Sequence, residues 1–565
     1  MSAPQPAAGA PRARLLLDAT CRDAFAAALA RCTAARAAAR IWAGDHTLWQ
    51  PAPAEVANRL GWLRAPADMM RELPRIAAFA RGVRAEGIRE ALLLGMGGSS
   101  LAPELFTATF GAAPGHPPVA VLDSTDPVAV RAAAARHPPD SSLYVVSTKS
   151  GGTVETLSFF KYFHAAAAAR LGAAAAGRRF VIVTDPGSSL EEMGRRIGAR
   201  EVFLNDPDVG GRFSALTHFG LVPAALDGVN LERLLASAQA MAARCAAGVA
   251  DTNPGVALGA LAGAMALIGR DKLTIVCSER IAGFGAWVEQ LVAESTGKQG
   301  RGIVPVTGER PATPGQYRPE RLFVFLLLDG DRDHDGVPDA LAAAGHPVLE
   351  LRIADRLELG GEFFRWEFAT AVAGHLLGVN PFDQPDVEAA KREARAVIAA
   401  YRERGALPVA ASEVDAGAAP AQIMRLLAAA QPGDFVGLQA FVDPGGAAAA
   451  LEELGAAVRA RTGRAVTAGF GPRFLHSTGQ LHKGGPGGVF IQLVSANADD
   501  ETIPDDFGSG AGSIGFGVLK SAQSIGDLRA LEAVGRRVLR VCVGEEGPGV
   551  AAALRSLAGA VAPPA

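Results

Sequence analysis

Cysteine and aromatic side chains are scarce in this chain, and neither sign of charge clearly prevails. The five cysteines, Cys21, Cys32, Cys245, Cys277 and Cys542, are scattered, odd in number and never spaced as C-x-x-C. A disulfide framework is therefore excluded, and no zinc or other metal site is expected. The net charge of −3 comes with Lys and Arg spread along all 565 residues, so no nucleic-acid-binding face is expected. Any anionic ligand must be held by local groups. Long apolar runs are missing as well. The most membrane-like stretch, 254–269, is short, rich in Ala and Gly, and bounded by Asp251 and Arg270. A buried helix fits it better than a membrane span. The opening MSAPQPAAGAPRAR lacks the basic-then-apolar layout of a secretory signal. The expectation is a soluble, cytoplasmic protein.

Apolar residues, by contrast, make up 49% of the chain, enough for the interiors of two to four domains. Residues 18–90 read as mainly helical, with Trp42, Trp49, Leu60, Trp62 and Leu63 as bulky core contacts. Short apolar runs at 91–94, 119–122, 143–146 and 180–184 then alternate with helical patterns. That is the rhythm of a parallel sheet covered by helices. A second series follows an Ala-rich helix near 230–247, with strands expected at 273–277, 322–328 and 348–352 and helices at 285–297 and 362–378. A third region begins near Gly433, after a loop at 411–420, with strands at 435–441, 465–469, 489–494 and 538–543 and a helix at 446–461. The expected fold is α/β: residues 1–235 a helical segment plus a first α/β domain, 236–410 a second, and 430–565 a smaller C-terminal α+β domain.

The most informative stretch is STKSGGTVET, 147–156, between a buried strand and a helix. Free backbone N–H groups and the positive helix end favour phosphate there, and Thr148, Ser150 and Thr153 can add hydroxyl donors. GMGGSS, 95–100, is a second oxyanion-friendly turn, where Gly98 allows close approach and Ser99 can donate a hydroxyl. It lacks the final glycine and the acidic residue of a dinucleotide fingerprint. Two such loops on neighbouring strands would converge on one crevice.

DVGGRFS, 208–214, sets Arg212 beyond a glycine pair, suited either to a developing anion or to an ordinary carboxylate partner. EQLVAESTGK, 289–298, puts Glu294 in the last turn of a helix, where the negative helix end raises a carboxyl pKa and suits a general base. Lys298 at i+4 could equally be its ion-pair partner. In NPFDQPDVEAAK, 380–391, Gln384 and Lys391 lie two turns apart, on one helix face. LHSTGQLHKGGP, 475–486, clusters His476 and His482 in a polar, glycine-rich loop without zinc spacing. His334, His346 and His375 have no such setting and read as structural.

Together these segments resemble the glucose-6-phosphate isomerase (phosphoglucose isomerase) family. The 475–486 segment adds similarity to the isomerase half of bifunctional transaldolase/glucose-6-phosphate isomerases. The roughly ninety residues before the first α/β strand are too few for a transaldolase barrel, so transaldolase activity is not expected. The resemblance implies two flavodoxin-like sugar isomerase (SIS) domains with parallel sheets and a homodimer. It also implies interconversion of glucose 6-phosphate and fructose 6-phosphate through a cis-enediol, without metal or organic cofactor. Carried over residue by residue, it implies that Gly98, Ser99, Thr148, Lys149, Ser150 and Thr153 bind the phosphate and Gln384 contacts the substrate. It makes Glu294 the C2–C1 base, Arg212 the stabiliser of the enediolate and Lys391 a ring-opening residue. Ordinary members carry a ring-opening histidine in a GQH motif soon after the base, and 302–314 here has no histidine. The similar text at 478–482 makes His482 the expected replacement, ahead of His476. A mannose 6-phosphate isomerase and a non-catalytic sugar-phosphate sensor are the competing readings.

Overall fold

The computed structural model describes residues 13–248, 250, 252–408, 413–496, 499–508 and 510–563. Most of the opening segment, Asp251, the first two residues of the 411–420 loop, and residues 1, 410 and 565 of the expected domain limits lie outside the described residues.

Three five-stranded sheets form the frame. In the first, strands run in the order Val119–Leu122, Glu90–Gly95, Ser142–Ser147, Phe180–Thr184 and Glu201–Leu204, all parallel. The three middle strands are buried almost end to end, which is why they read as continuous apolar runs. Chain order reverses between Glu90–Gly95 and Ser142–Ser147, whose carboxyl ends lie in register, Gly95 beside Ser147. The crevice at such a reversal is the usual ligand site of an open parallel sheet.

The second sheet has the order Ala13–Leu16, Val348–Ile353, Arg321–Leu328, Lys272–Cys277 and Val304–Val306. Only Ala13–Leu16 pairs antiparallel, on the edge. Edge strands such as Ala13–Leu16, Glu201–Leu204 and Val304–Val306 are four residues or shorter and carry no legible alternation. The apolar stretch after Pro254 forms the helix Pro254–Leu267, buried along most of its length. Its small residues let it touch the helix Leu359–Leu377: a Cβ on Gly259 would stand 2.4 Å from the Ala369 carbonyl oxygen.

The third sheet runs Glu413–Asp415, Arg537–Glu545, Gly488–Ala496, Phe435–Phe441 and Val466–Phe470, and all its pairs are parallel. Part of the expected 411–420 loop is thus an edge strand, and the helix Ala419–Ala428 follows it. This domain docks on the other two. Phe435, Ala465, Leu481 and Phe490 share an apolar cluster with Ala293, Val304 and Val306 of the second domain. Its helix Phe516–Ala533 lies so close to the helix Val387–Arg404 that a Cβ on Gly526 would be 2.7 Å from the Ala394 nitrogen. The buried Lys520 ammonium reaches Asp126 of the first domain at 2.6 Å and Glu546 at 3.1 Å.

Candidate active site

The loop after Ser142–Ser147 turns at Gly151, whose φ of +71° is left-handed and whose missing Cβ would meet the Leu190 nitrogen at 2.9 Å. The Thr184 hydroxyl donates to the Thr148 carbonyl at 2.8 Å and the Ser189 hydroxyl to that of Gly151 at 2.9 Å, bracing the loop from behind. The Thr148 and Thr153 hydroxyls share a 2.8 Å bond. Thr153 caps the helix Val154–Leu171 by position, but its side chain makes no cap bond, so the helix's first N–H groups have no side-chain acceptor there. Ser150 and Thr153 face a cavity of about 470 Å³. The Lys149 ammonium turns away from it to Asp185 and to the Pro207 carbonyl.

The 97–100 turn abuts the Arg212 segment. A Cβ on Gly98 would lie 2.0 Å from the Gly211 oxygen, so only glycine lets these backbones meet. Ser99 is buried in this turn.

Arg212 is buried and fans out from there. It donates to Ser295 at 2.8 Å, to Gln384 at 2.9 Å, and to the carbonyls of Pro381 and Asp383 at 2.6 and 3.0 Å. Its guanidinium also lies 3.4 Å from the Glu294 carboxylate. Glu294 stands in the last turn of the helix Gly283–Thr296. Gln290, one turn earlier, donates to Glu294 at 3.2 Å and to the His476 carbonyl at 2.8 Å. Lys298 is not hydrogen-bonded to Glu294; it pairs with Asp383 at 2.6 Å. Burial, reinforced by the charge of Arg212, lowers its pKa to about 8, against the pull of Asp383.

Gln384 and Lys391 do not share a helix face. The helix begins only at Val387, because the Pro381 and Pro385 turn delays it, and Gln384 precedes it to reach Arg212. Lys391 is half exposed, bonds Glu388 at 2.7 Å and lines the cavity.

The two histidines of 475–486 separate. His476 ends the turn Arg473–His476 and lines the cavity, with Nε2 2.8 Å from the Glu155 carboxylate. His482, the residue favoured from sequence, sits in the short helix Gly479–Gly484 and faces the third sheet instead. It is buried among Phe435, Phe474 and Phe490, 3.1 Å from Gln439, and does not line the cavity. Burial, with Lys483 and Arg536 nearby, drives its pKa well below the usual imidazole value.

Burial also disfavours a charged His476, but the Glu155 carboxylate outweighs it through charge and hydrogen bond, and the His476 pKa is raised. Glu155 behaves as the counterpart: burial pushes its pKa up, and His476 and Gln523 more than reverse this. Gln523 donates to the same carboxylate oxygen at 2.6 Å and bonds Thr125 at 3.1 Å through its own oxygen. Lys391 and the His476 imidazole line the cavity beside Ser150 and Thr153, while Glu294 and Arg212 do not line it and are tied to it through Gln290; together they are a set able to move protons on a bound anion.

Comparison with known proteins is consistent with this geometry. Residues 62–304 match the family model for phosphoglucose isomerase. A glucose-6-phosphate isomerase of Rubrobacter xylanophilus is 31% identical over 387 residues, covering 59% of this chain and 87% of that protein. The chain belongs to the phosphoglucose isomerase family. A probable glucose-6-phosphate isomerase of Haloarcula marismortui is 32% identical over 345 residues, 54% of this chain and 77% of that one. Among solved structures, a hypothetical protein from Thermus thermophilus aligns with a TM-score of 0.59 at 25% identity, over 68% of this chain and 99% of its own. A glucose-6-phosphate isomerase from Chlamydia trachomatis shares the fold, with a TM-score of 0.52 at 21% identity over 65% and 78% of the two chains.

The phosphoglucose isomerase model ends at 304, so Gln384, Lys391, His476 and Gln523 lie beyond it. Sequence reasoning missed Glu155, Gln290 and Gln523. Glu155 stands inside the quoted 147–156 motif and Gln290 at i−4 from Glu294, so both had a signal; Gln523 sits in a helix with no motif. Among the described residues no helix is long and apolar enough to cross a membrane.

Proposed function

We propose that this chain interconverts glucose 6-phosphate and fructose 6-phosphate through a cis-enediol, in the cytoplasm, within glycolysis and gluconeogenesis. The observation that carries the reading is the bridge through Gln290, which bonds Glu294 on one side and the backbone of His476, facing the hydroxyl-lined cavity, on the other. Phosphate binds the N–H groups and hydroxyls of the 148–153 loop, with Ser99 at the neighbouring turn. The His476 imidazolium gives a proton to the ring oxygen as the sugar opens, with Lys391 beside it. Glu294 takes the C2 proton and returns it to C1, while Arg212 offsets the negative charge that grows on the enediolate oxygens. All these groups belong to one chain, and homodimerisation, expected from the family, is not needed to bring them together.

The test is an assay of purified protein on fructose 6-phosphate, in chelator, reading glucose 6-phosphate formation and solvent hydrogen entering at C1 of the ketose and C2 of the aldose. Turnover with exchange supports the reading; binding without either supports the sensor. Turnover to mannose 6-phosphate in preference to glucose 6-phosphate supports the competing isomerase, since one enediol leads to both epimers.

A pH effect follows from the His476–Glu155 pair. His476 is charged up to a pKa above its usual value, so kcat/KM on the cyclic sugar falls as pH rises past that raised value. Glu155→Gln removes the larger carboxylate influence and leaves only the Glu294 charge against burial and the Lys391 charge, so the imidazole pKa drops and the alkaline limb moves to lower pH. A pH profile of kcat/KM for both proteins checks this; an unmoved limb rules out His476 as the titrating acid.

A further inference from the structure

We infer that Gln480 of the third domain is a positioning residue that sets the distance between the Glu294 helix and the Lys391 helix, an inference resting on the isomerase reading. Its side chain is fully buried and every polar atom is used. The Gln480 oxygen accepts the Asp386 backbone N–H at 2.8 Å, and its amide donates to the Gly297 carbonyl at 3.0 Å and to the Asp386 carboxylate. Gly297 is three residues past Glu294, just beyond the helix end, where a carbonyl lacks an intrahelical donor. Asp386 immediately precedes the helix that carries Lys391, two residues after Gln384, which bonds Arg212. One amide therefore spans two elements that each deliver a reacting group.

The backbone around it is built as a spacer. A Cβ on Gly297 would stand 2.6 Å from Leu481 Cα, and one on Gly484 would stand 2.1 Å from the Asp386 carboxylate. The Gly300 N–H donates to the Gly484 carbonyl at 2.8 Å. The short helix Gly479–Gly484 thus touches backbone on one side and the Asp386 carboxylate on the other. Gln480 is the side chain that joins the two. A merely structural glutamine would hold the domain in place without setting this separation. A shift of about 1 Å between reacting groups can cost about 100-fold in rate, so the two roles are separable by kinetics.

Gln480→Met keeps the length and removes all three bonds; Gln480→Glu sets a carboxylate against Asp386. Adding Asp386→Asn to the latter restores only the Asp386 side, the new amide donating to the introduced carboxylate, while the Gly297 carbonyl stays without its donor. The measurements are kcat, KM and C1 hydrogen exchange on fructose 6-phosphate, alongside circular dichroism and thermal midpoint. Gln480→Met and Gln480→Glu should lose about 10- to 100-fold in kcat. KM should change less than about threefold, because the phosphate loop is untouched, and the double variant should regain thermal midpoint but not full kcat, because its Gly297 side is still unjoined. Full kcat per folded molecule in Gln480→Met, or in Gln480→Glu should the former not fold, overturns the inference, as does a double variant restored to full kcat with its Gly297 side still unjoined. Wild-type protein without turnover overturns the isomerase reading itself, whereas wild-type turnover beside an unimpaired Gln480→Met overturns the positioning role alone.

Discussion

Glu294→Gln is expected to leave a folded protein that still binds fructose 6-phosphate but exchanges its C1 hydrogen about 10²- to 10⁴-fold more slowly. The substitution preserves shape and the bond from Gln290, whose amide donates to Glu294 at 3.2 Å and can donate equally to a glutamine oxygen. What disappears is the carboxylate basicity that takes a carbon-bound proton. It also removes the negative charge 3.4 Å from Arg212, so the guanidinium loses an ionic neighbour but keeps its four other bonds. Binding through the 148–153 loop should therefore persist. Deuterium incorporation at C1 of fructose 6-phosphate, followed by NMR, separates the outcomes: exchange at the wild-type rate would remove Glu294 from the proton path.

Arg212→Lys is the second large effect, with kcat expected to fall about 10²- to 10³-fold and KM to move far less. Both side chains are cationic, but only the guanidinium can serve Ser295, Gln384 and the carbonyls of Pro381 and Asp383 at once while presenting charge toward Glu294. An ammonium in that place leaves at least one buried carbonyl without a donor, at about 1–3 kcal/mol, so the melting temperature should fall too. Steady-state kinetics on correctly folded variant decides the matter. A lysine variant with near-normal kcat would mean that Arg212 only organises the 380–384 turn.

Much of this was legible in the sequence because burial and phosphate-loop chemistry both leave local marks. The middle strands of the parallel sheets are apolar end to end, and STKSGGTVET carries its hydroxyls and glycines in one contiguous run. Glu294 and Arg212 stand within such motifs. Illegible were relations that only the folded chain creates. His482 and His476 share one polar loop, yet Leu481 and three phenylalanines draw the first inward while Glu155 fixes the second at the cavity. Nothing near Gln523 or Gln480 reports their partners, which lie 368 and 94 residues away. The helix expected to carry both Gln384 and Lys391 starts too late because two prolines hold the preceding turn open.

The Lys520 ammonium, buried between Asp126 and Glu546, has a bearing on how the chain matures. Synthesis proceeds from the N-terminus, so the 95–100 and 147–156 loops and Glu294 emerge long before the strand Arg537–Glu545 and the glutamate just past it. A ribosome that stops just short of Glu546 would leave the buried Lys520 ammonium with one carboxylate, Asp126, where the finished chain gives it two.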